Sequence, residues 1–261
     1  MRALKIAASG MLAQQMRVEV ISNNLANMNT TGFNPRRAEF ADLHYQQLAR
    51  PGTINASDGT VLPTGVQLGL GVRPTAVTVM LGQGALAATG GDLDLAIEGA
   101  GYLEVTLPNG NAAYTRDGAL KRNGEGQVVT SDGYAVVPDL TIPEDVRALT
   151  INADGEVYAL FADQITPQLL GQFTLANFIN PKGLEALGSD LFAETTASGP
   201  PTVSTPGQDG LGVLRQGYLE ESSVDAVKEV TDLIEAQRGY ELNSKVISAA
   251  DQMLGAMVQI R

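Results

Sequence analysis

Residues 4–28, LKIAASGMLAQQMRVEVISNNLANM, place Leu4, Ala7, Met11, Gln14, Val18, Ile21, Leu25 and Met28 at alternating spacings of three and four. That alternation is the seam of a coiled-coil helix, interrupted by one polar residue. A matching seam stands at the other end of the 261-residue chain, at Leu242, Val246, Ala249, Met253, Ala256 and Ile260, preceded by a further helical set at Val224, Val227, Val230 and Ile234. Between Ile234 and Leu242 the two sets are out of phase, and Gly239 lies there. Glycine inside a helix costs about 1 kcal/mol against alanine, so a bend or a change of partner is expected. Ala7, Ala249 and Ala256 bury little surface, and an isolated helix in water is marginal. The two ends are therefore expected to meet and to be fixed by packing against neighbouring copies. A closed hairpin without partners is the plainer reading of the same spacing.

Charge is unevenly spread. Residues 1–50 carry six Lys/Arg against three acids, a net +3, whereas residues 216–261 carry four basic and eight acidic groups, a net -4. The remaining residues hold -11 of the total -12. Opposite signs favour approach of the ends, modestly and in a salt-dependent way. The acidic remainder argues against nucleic-acid binding. With no cysteine in the chain, disulfides, thiol chemistry and thiolate metal sites are excluded. No apolar run approaches the roughly 18 residues of a membrane span. Ser9, Gly10, Gln14 and Gln15 interrupt the N-terminal run where a cleaved signal needs a continuous apolar stretch, so neither insertion nor such a signal is expected.

Between the two helical ends the pattern changes. Asn29-Thr30-Thr31-Gly32-Phe33-Asn34-Pro35 is a breaker cluster, with Asn29 or Gly32 suited to a left-handed cap and Pro35 barring continuation. Phe40, Leu43 and Leu48 suggest a second short helix. Residues 50–91, rich in Gly, Thr and Pro, read as an extended segment too long for a passive linker. From Asp92 to Glu98 apolar Leu93, Leu95 and Ile97 alternate with mostly polar neighbours, the period of a strand. Turn signals follow at Pro108-Asn109-Gly110, Arg116-Asp117-Gly118, Asn123-Gly124, Asp132-Gly133 and Asp154-Gly155. These predict an antiparallel sandwich or barrel-like unit, with Thr195 to Gly212 leading back out. The fold class is thus α+β: a discontinuous helical domain, 1–31 with 225–261; an extended connecting domain, 32–91 with 199–224; and an inserted antiparallel β domain, 92–198.

Reactive constellations are sparse. His44, the only histidine, stands among Asp42, Leu43 and Tyr45 and reads as a surface residue. Asp92 and Asp94 are paired carboxylates, but Leu95 and Ala96 occupy positions where a calcium loop needs further ligands. Gly82-Gln83-Gly84 and Gly99-Ala100-Gly101 lack the third glycine of a dinucleotide fingerprint, and no serine elbow is present. The expectation is no catalytic residue, no metal and no cofactor.

The end sequences carry more than periodicity. Ala7-Ala8-Ser9-Gly10-Met11-Leu12-Ala13-Gln14-Gln15, Ile21-Ser22-Asn23-Asn24-Leu25-Ala26-Asn27 and Thr30-Thr31-Gly32-Phe33 resemble the N-terminal signature of bacterial flagellar rod and hook proteins. Gly217-Tyr218-Leu219-Glu220, Ser223-Val224-Asp225, Ile234 through Glu241, Asn243 through Ile247 and Ala250 through Leu254 are similar to its C-terminal signature. Gly101-Tyr102-Leu103, Tyr114 through Gly118 and Asp132-Gly133-Tyr134 resemble the β domain of its larger members. The extended run Leu62-Pro63-Thr64-Gly65-Val66-Gln67-Leu68-Gly69-Leu70-Gly71-Val72 resembles the distal-rod branch, with a proximal rod subunit carrying the same β domain as the nearest rival. Asn34 stands where the family usually has a basic residue, and Gly239 where Ala is common.

The resemblance implies a structural subunit that polymerises helically, the terminal helices lining a central channel, the extended segments joining copies and the β domain facing outward. It implies export through the flagellar type III apparatus without a cleaved signal. The implied location is a rod crossing the periplasm, with proximal rod subunits, the hook protein or its junction and the L and P ring proteins as neighbours. Contacts between copies are expected at Leu4, Met11, Val18, Ile21, Asn23, Asn24, Leu25, Asn27 and Met28, and at Ile234, Gln237, Arg238, Tyr240, Leu242, Asn243, Val246, Met253 and Ile260. Leu62, Pro63, Gly65, Leu68 and Gly71 would form the extended rod segment. A reading from a different class is an acidic β module on a helical stalk, recognising an envelope ligand.

Overall fold

Asp225 opens the C-terminal helix: its carboxylate Oδ1 accepts hydrogen bonds from the Val227 and Lys228 amides at 3.0 and 3.2 Å, satisfying donors that a helix start leaves unpaired. In the computed structural model, which describes residues 2–50, 64–162, 164 and 166–259, this helix, α2, runs Ala226–Gln259. The N-terminal helix α1 runs Arg2–Ala26. It ends in a turn in which the Thr30 amide donates to the Asn27 carbonyl at 3.2 Å and Gly32 takes φ +71. At Gly239, where a bend or a change of partner is expected, α2 continues without a break. The glycine is accommodated by packing: a Cβ there would lie 3.1 Å from the Gln14 side chain of α1.

The chain divides into two compact units. One comprises Met1–Ala26, Arg36–Thr78 and Asp225–Arg261, and the other Asn27–Pro35 and Val79–Val224. In the first, α1 and α2 pack together along with four strands: β1 (Arg36–Asp42), β2 (Tyr45–Ala49), β3 (Val66–Gly69) and β4 (Val72–Val79). β1 pairs with β4, and β2 pairs antiparallel with β3, Tyr45 opposite Gly69 and Gln46 opposite Leu68. Phe40, Leu43 and Leu48 therefore do not lie on a helix: Phe40 sits in β1, Leu48 in β2 and Leu43 between them. Their spacing imitates a helical period, but β2 finds its pairing partner about twenty residues on and β1 thirty or more, and local sequence does not display those partners.

The second unit is antiparallel β throughout. Its largest sheet has nine strands in the order Glu185–Gly188, Leu191–Ala193, Ala112–Thr115, Tyr102–Thr106, Ala135–Val136, Val128–Val129 and Lys121–Arg122, with Leu175–Asn177 pairing both Tyr102–Thr106 and Thr202–Ser204. A three-stranded sheet, Val146–Ile151, Glu156–Phe161 and Gln168–Gln172, packs beside it. Leu95, Ile97, Leu103, Val105, Val136, Val157, Phe173 and Leu175 form the common core. Thr202–Ser204 falls in the stretch expected to lead out of this unit and instead adds an edge strand to it. The α+β class, with paired terminal helices and an inserted antiparallel β region, is the observed one.

Candidate assembly interface

α1 and α2 lie antiparallel in one continuous register, with Gly10 against Asn243, Gln14 against Gly239, and Arg17 reaching Asp232 at 2.7 Å and Glu235 at 3.7 Å. Asn24 is 1% exposed. Its side-chain amide donates to the Arg36 carbonyl at 2.8 Å and to Glu229 Oε1 at 3.2 Å, while its Oδ1 accepts the Arg36 amide at 2.8 Å. One side chain thus pairs with a strand backbone as another strand would and ties α1, β1 and α2 together. Ser9 Oγ accepts the Val72 amide at 3.3 Å beside Gly71, whose φ of +119 leaves no room for a Cβ against Ser9.

The faces of α2 are distributed differently from the expectation. Ala236, fully buried, Gly239, Asn243, Ile247, Ala250 and Leu254 turn inward. The apolar seam read from the sequence turns outward: Val227 is 78% exposed, Leu242 and Met253 62%, and Ile234, Val230 and Val246 between 42% and 48%. At 3.6 residues per turn Val227, Val230 and Ile234 lie opposite the inward face, whereas Leu242, Val246 and Met253 form a stripe on its flank, so the exposed apolar residues make two patches out of phase with each other. The inward face combines small residues and an amide, which let the helix axes approach, with Ile247 and Leu254, while the other large aliphatic side chains of α2 stay outside. Periodicity revealed the stripe and could not say what covers it.

Of the residues expected on α1, Ile21 and Asn24 are buried, Leu4, Met11, Val18 and Leu25 half-buried, and Asn23 exposed. Met28 is exposed and Asn27 half-buried in the turn beyond α1, where Thr30 donates to the Asn27 side chain. On α2, Ile234, Gln237, Arg238, Tyr240, Leu242, Val246 and Met253 are exposed and Asn243 faces Gly10. Ile260, Leu62 and Pro63 lie outside the described residues. Gly65 precedes β3, in which Leu68 is exposed, as are Tyr45, Leu48 and Val66 on the same two-stranded ribbon. A two-stranded ribbon with apolar side chains in water is marginal alone.

In the β unit a second site escaped the sequence reading. Arg116, which the sequence reads as part of a turn, is buried: Nε and Nη2 bind Glu220 Oε2 at 3.0 and 2.8 Å, and Nη1 and Nη2 reach the Gly101 and Gly99 carbonyls at 3.1 Å. Glu220 Oε1 accepts the Gly84 amide at 3.0 Å, its backbone carbonyl accepts the Gly32 amide at 2.8 Å, and the neighbouring Ser223 amide donates to Phe33. Segments 27–35, 79–85 and 218–224 are thus gathered around one ion pair. Asn34, also buried, accepts the Gly82 amide at 3.2 Å. His44 is exposed, and among the described residues no group of three His, Asp or Glu forms a metal cluster. No described helix is long and apolar enough to cross a membrane.

Comparison with known proteins agrees with this architecture segment by segment. Residues 4–34 match the family model for flagella basal body rod proteins, residues 96–159 that for the flagellar hook protein FlgE/F/G D1 domain, and residues 215–260 that for the flagellar basal body rod FlgEFG protein C-terminal region. The flagellar basal-body rod protein FlgG of Caulobacter vibrioides is 54% identical over 261 residues, all of both chains. Its counterpart in Agrobacterium fabrum is 49% identical over 253 residues, 97% of each chain. That of Bacillus subtilis is 37% identical over 266 residues, covering 100% of this chain and 99% of the other. With helices, β unit and full length all matched, the chain belongs to the flagellar basal-body rod protein family.

Proposed function

We propose that this chain is a structural subunit of the distal rod, polymerising helically into the shaft that transmits torque from the motor to the hook. The observation that carries the reading is the exposed apolar surface of α2, the patch of Val227, Val230 and Ile234 and the stripe of Leu242, Val246 and Met253, on a chain of this family. Covering such half-exposed side chains is worth on the order of 1 kcal/mol each, and a repeated unlike-patch contact builds an open helix rather than a closed ring. The β2–β3 ribbon adds Tyr45, Leu48, Val66 and Leu68 as further surface for neighbours.

In this reading residues 1–31 and 225–261 form the inner layer of a tube, 32–91 and 199–224 the connecting layer, and 92–198 the outer one. Proximal rod subunits lie below, the hook protein or its junction above, the L and P ring proteins around, and the type III apparatus exports the chain across the envelope. The role is mechanical, with no reaction at any site. Removing residues 1–31 or 225–261 is expected to leave a soluble β unit that forms no filaments by electron microscopy and gives no swimming cells. Normal rods built from either truncation would overturn the reading.

A further inference from the structure

The face of α2 that holds α1 is not chosen by apolar residues alone, since Val227, Val230 and Ile234 on the opposite side and Leu242, Val246 and Met253 on the flank stay exposed. What distinguishes the inward face is a set of polar matches on a single antiparallel register: Asn243 over Gly10, Gln14 over Gly239, Arg17 to Asp232 at 2.7 Å with Glu235 at 3.7 Å, and Asn24 to Glu229 at 3.2 Å. Each helix supplies one glycine and one amide side chain to the first two matches, so each amide fills the space left by the opposite glycine. Asn243 Nδ2 also donates to the Gly239 carbonyl at 2.9 Å, holding its side chain across that gap. Gln14 Oε1 is buried with no hydrogen-bond partner, a cost that an apolar side chain would avoid.

We propose that this polar ladder is the specificity determinant of helix pairing: it selects the face and register with which α2 meets α1 of its own chain, and so leaves the two exposed apolar patches of α2 to other copies. The inference rests, for the use of those patches, on the polymer reading above. Buried polar groups that fix register at the expense of stability are the best-attested use of such residues in paired helices. Turning or slipping α2 against α1 would part Gln14, Arg17 and Asn24 from Gly239, Asp232 and Glu229 and draw apolar residues now exposed on α2 into the single chain.

The chain has no cysteine, so a pair of spin labels can be placed without background. Ala8→Cys and Lys245→Cys are both exposed and lie level across the helix pair. Labelled full-length chain, diluted into excess unlabelled chain, reports the distance within one chain by pulsed electron paramagnetic resonance, both before and after polymerisation. A single distance is expected without further change. Arg17→Glu, and separately Gln14→Leu with Asn243→Leu, should each add a second distance population, as α2 turns or slips against α1 by about one helical turn of 5.4 Å. Arg17→Glu combined with Asp232→Arg should restore the single distance, a rescue that loss of packing alone would not give.

The proposal is overturned if both ladder variants keep the single distance, if the exchanged pair fails to rescue, or if the unmodified helices show no defined distance in either state. Should the chain not polymerise at all, the rod reading fails while the intrachain distances still decide the ladder.

Discussion

At the scale of single residues, the Arg116–Glu220 pair carries the sharpest consequence. Its side chains are 9% and 2% exposed, and every polar atom of the contact is committed to Glu220, to the Gly99 and Gly101 carbonyls or to the Gly84 amide. Breaking such a pair from one side costs about 3–5 kcal/mol because the other charge stays buried. Arg116→Met is therefore expected to lower the melting temperature of the β unit by roughly 10 °C, read by calorimetry; a shift within about 2 °C, small on that scale, would show that the charge finds water. Asp117, next in the chain, behaves oppositely. Burial pushes its carboxyl above the ordinary 3.8, the Ala119 amide partly offsets this, and Asp132 and Asp94 push in the same direction as burial. Between 3.8 and the raised value the native state holds a proton that the unfolded chain releases, so this group adds stability as pH falls through that window and withholds it above. Asp117→Asn should then be more stable than the parent at neutral pH, the advantage vanishing below the window in thermal melts run against pH. An advantage that grows toward acid would refute the assignment. Neither residue announced its role in the sequence: Arg116-Asp117-Gly118 has turn composition, and only the distant strand bearing Glu220 turns the arginine inward.

At the scale of elements, legibility followed the range of the interactions involved. Asn109-Gly110, Asp132-Gly133 and Asp154-Gly155 were readable as hairpin turns because the demand is local, and all three glycines take positive φ, between 81 and 88. The terminal helices were readable because their period runs over many turns. What local pattern does not contain is the identity of the covering partner. That is why Phe40, Leu43 and Leu48 imitated a helix, and why the seam Leu242, Val246 and Met253 was legible as a stripe though not as an outward one. Asp225 as a helix cap, with Glu229 one turn on, was a start signal available in the sequence. The outward stripe gives a prediction of its own. Leu242→Asp with Val246→Asp places two charges where little is buried in the single chain, so circular dichroism and unfolding of the dilute protein should hardly change. Sedimentation of polymer at high concentration should fall by tenfold or more, since a charge in a buried apolar contact is strongly disfavoured. Loss of helix content in the dilute protein instead would mean that the stripe is covered within the chain.

At the scale of the whole molecule, the balance lies between apolar attraction and net charge. Each copy carries -12, most of it outside the two terminal segments, and copies brought together in a shaft repel one another through that excess. The ion pair closest to the helix contact, Arg17 with Asp232, lies within one chain and its short range makes it little sensitive to salt beside the repulsion between copies. Screening lengths fall from about 30 Å at 0.01 M to about 3 Å at 1 M. Assembly driven by the apolar stripe should therefore be helped by salt: from about 0.01 M toward 1 M sodium chloride, a range set by those lengths, the concentration needed for filaments should drop and the lag in light scattering shorten. Sodium sulfate should act more strongly at equal ionic strength, because it also strengthens apolar burial. If filaments dissolve as salt rises, the copies are held by charge pairs across their contact, and the stripe of Leu242, Val246 and Met253 is not what joins them.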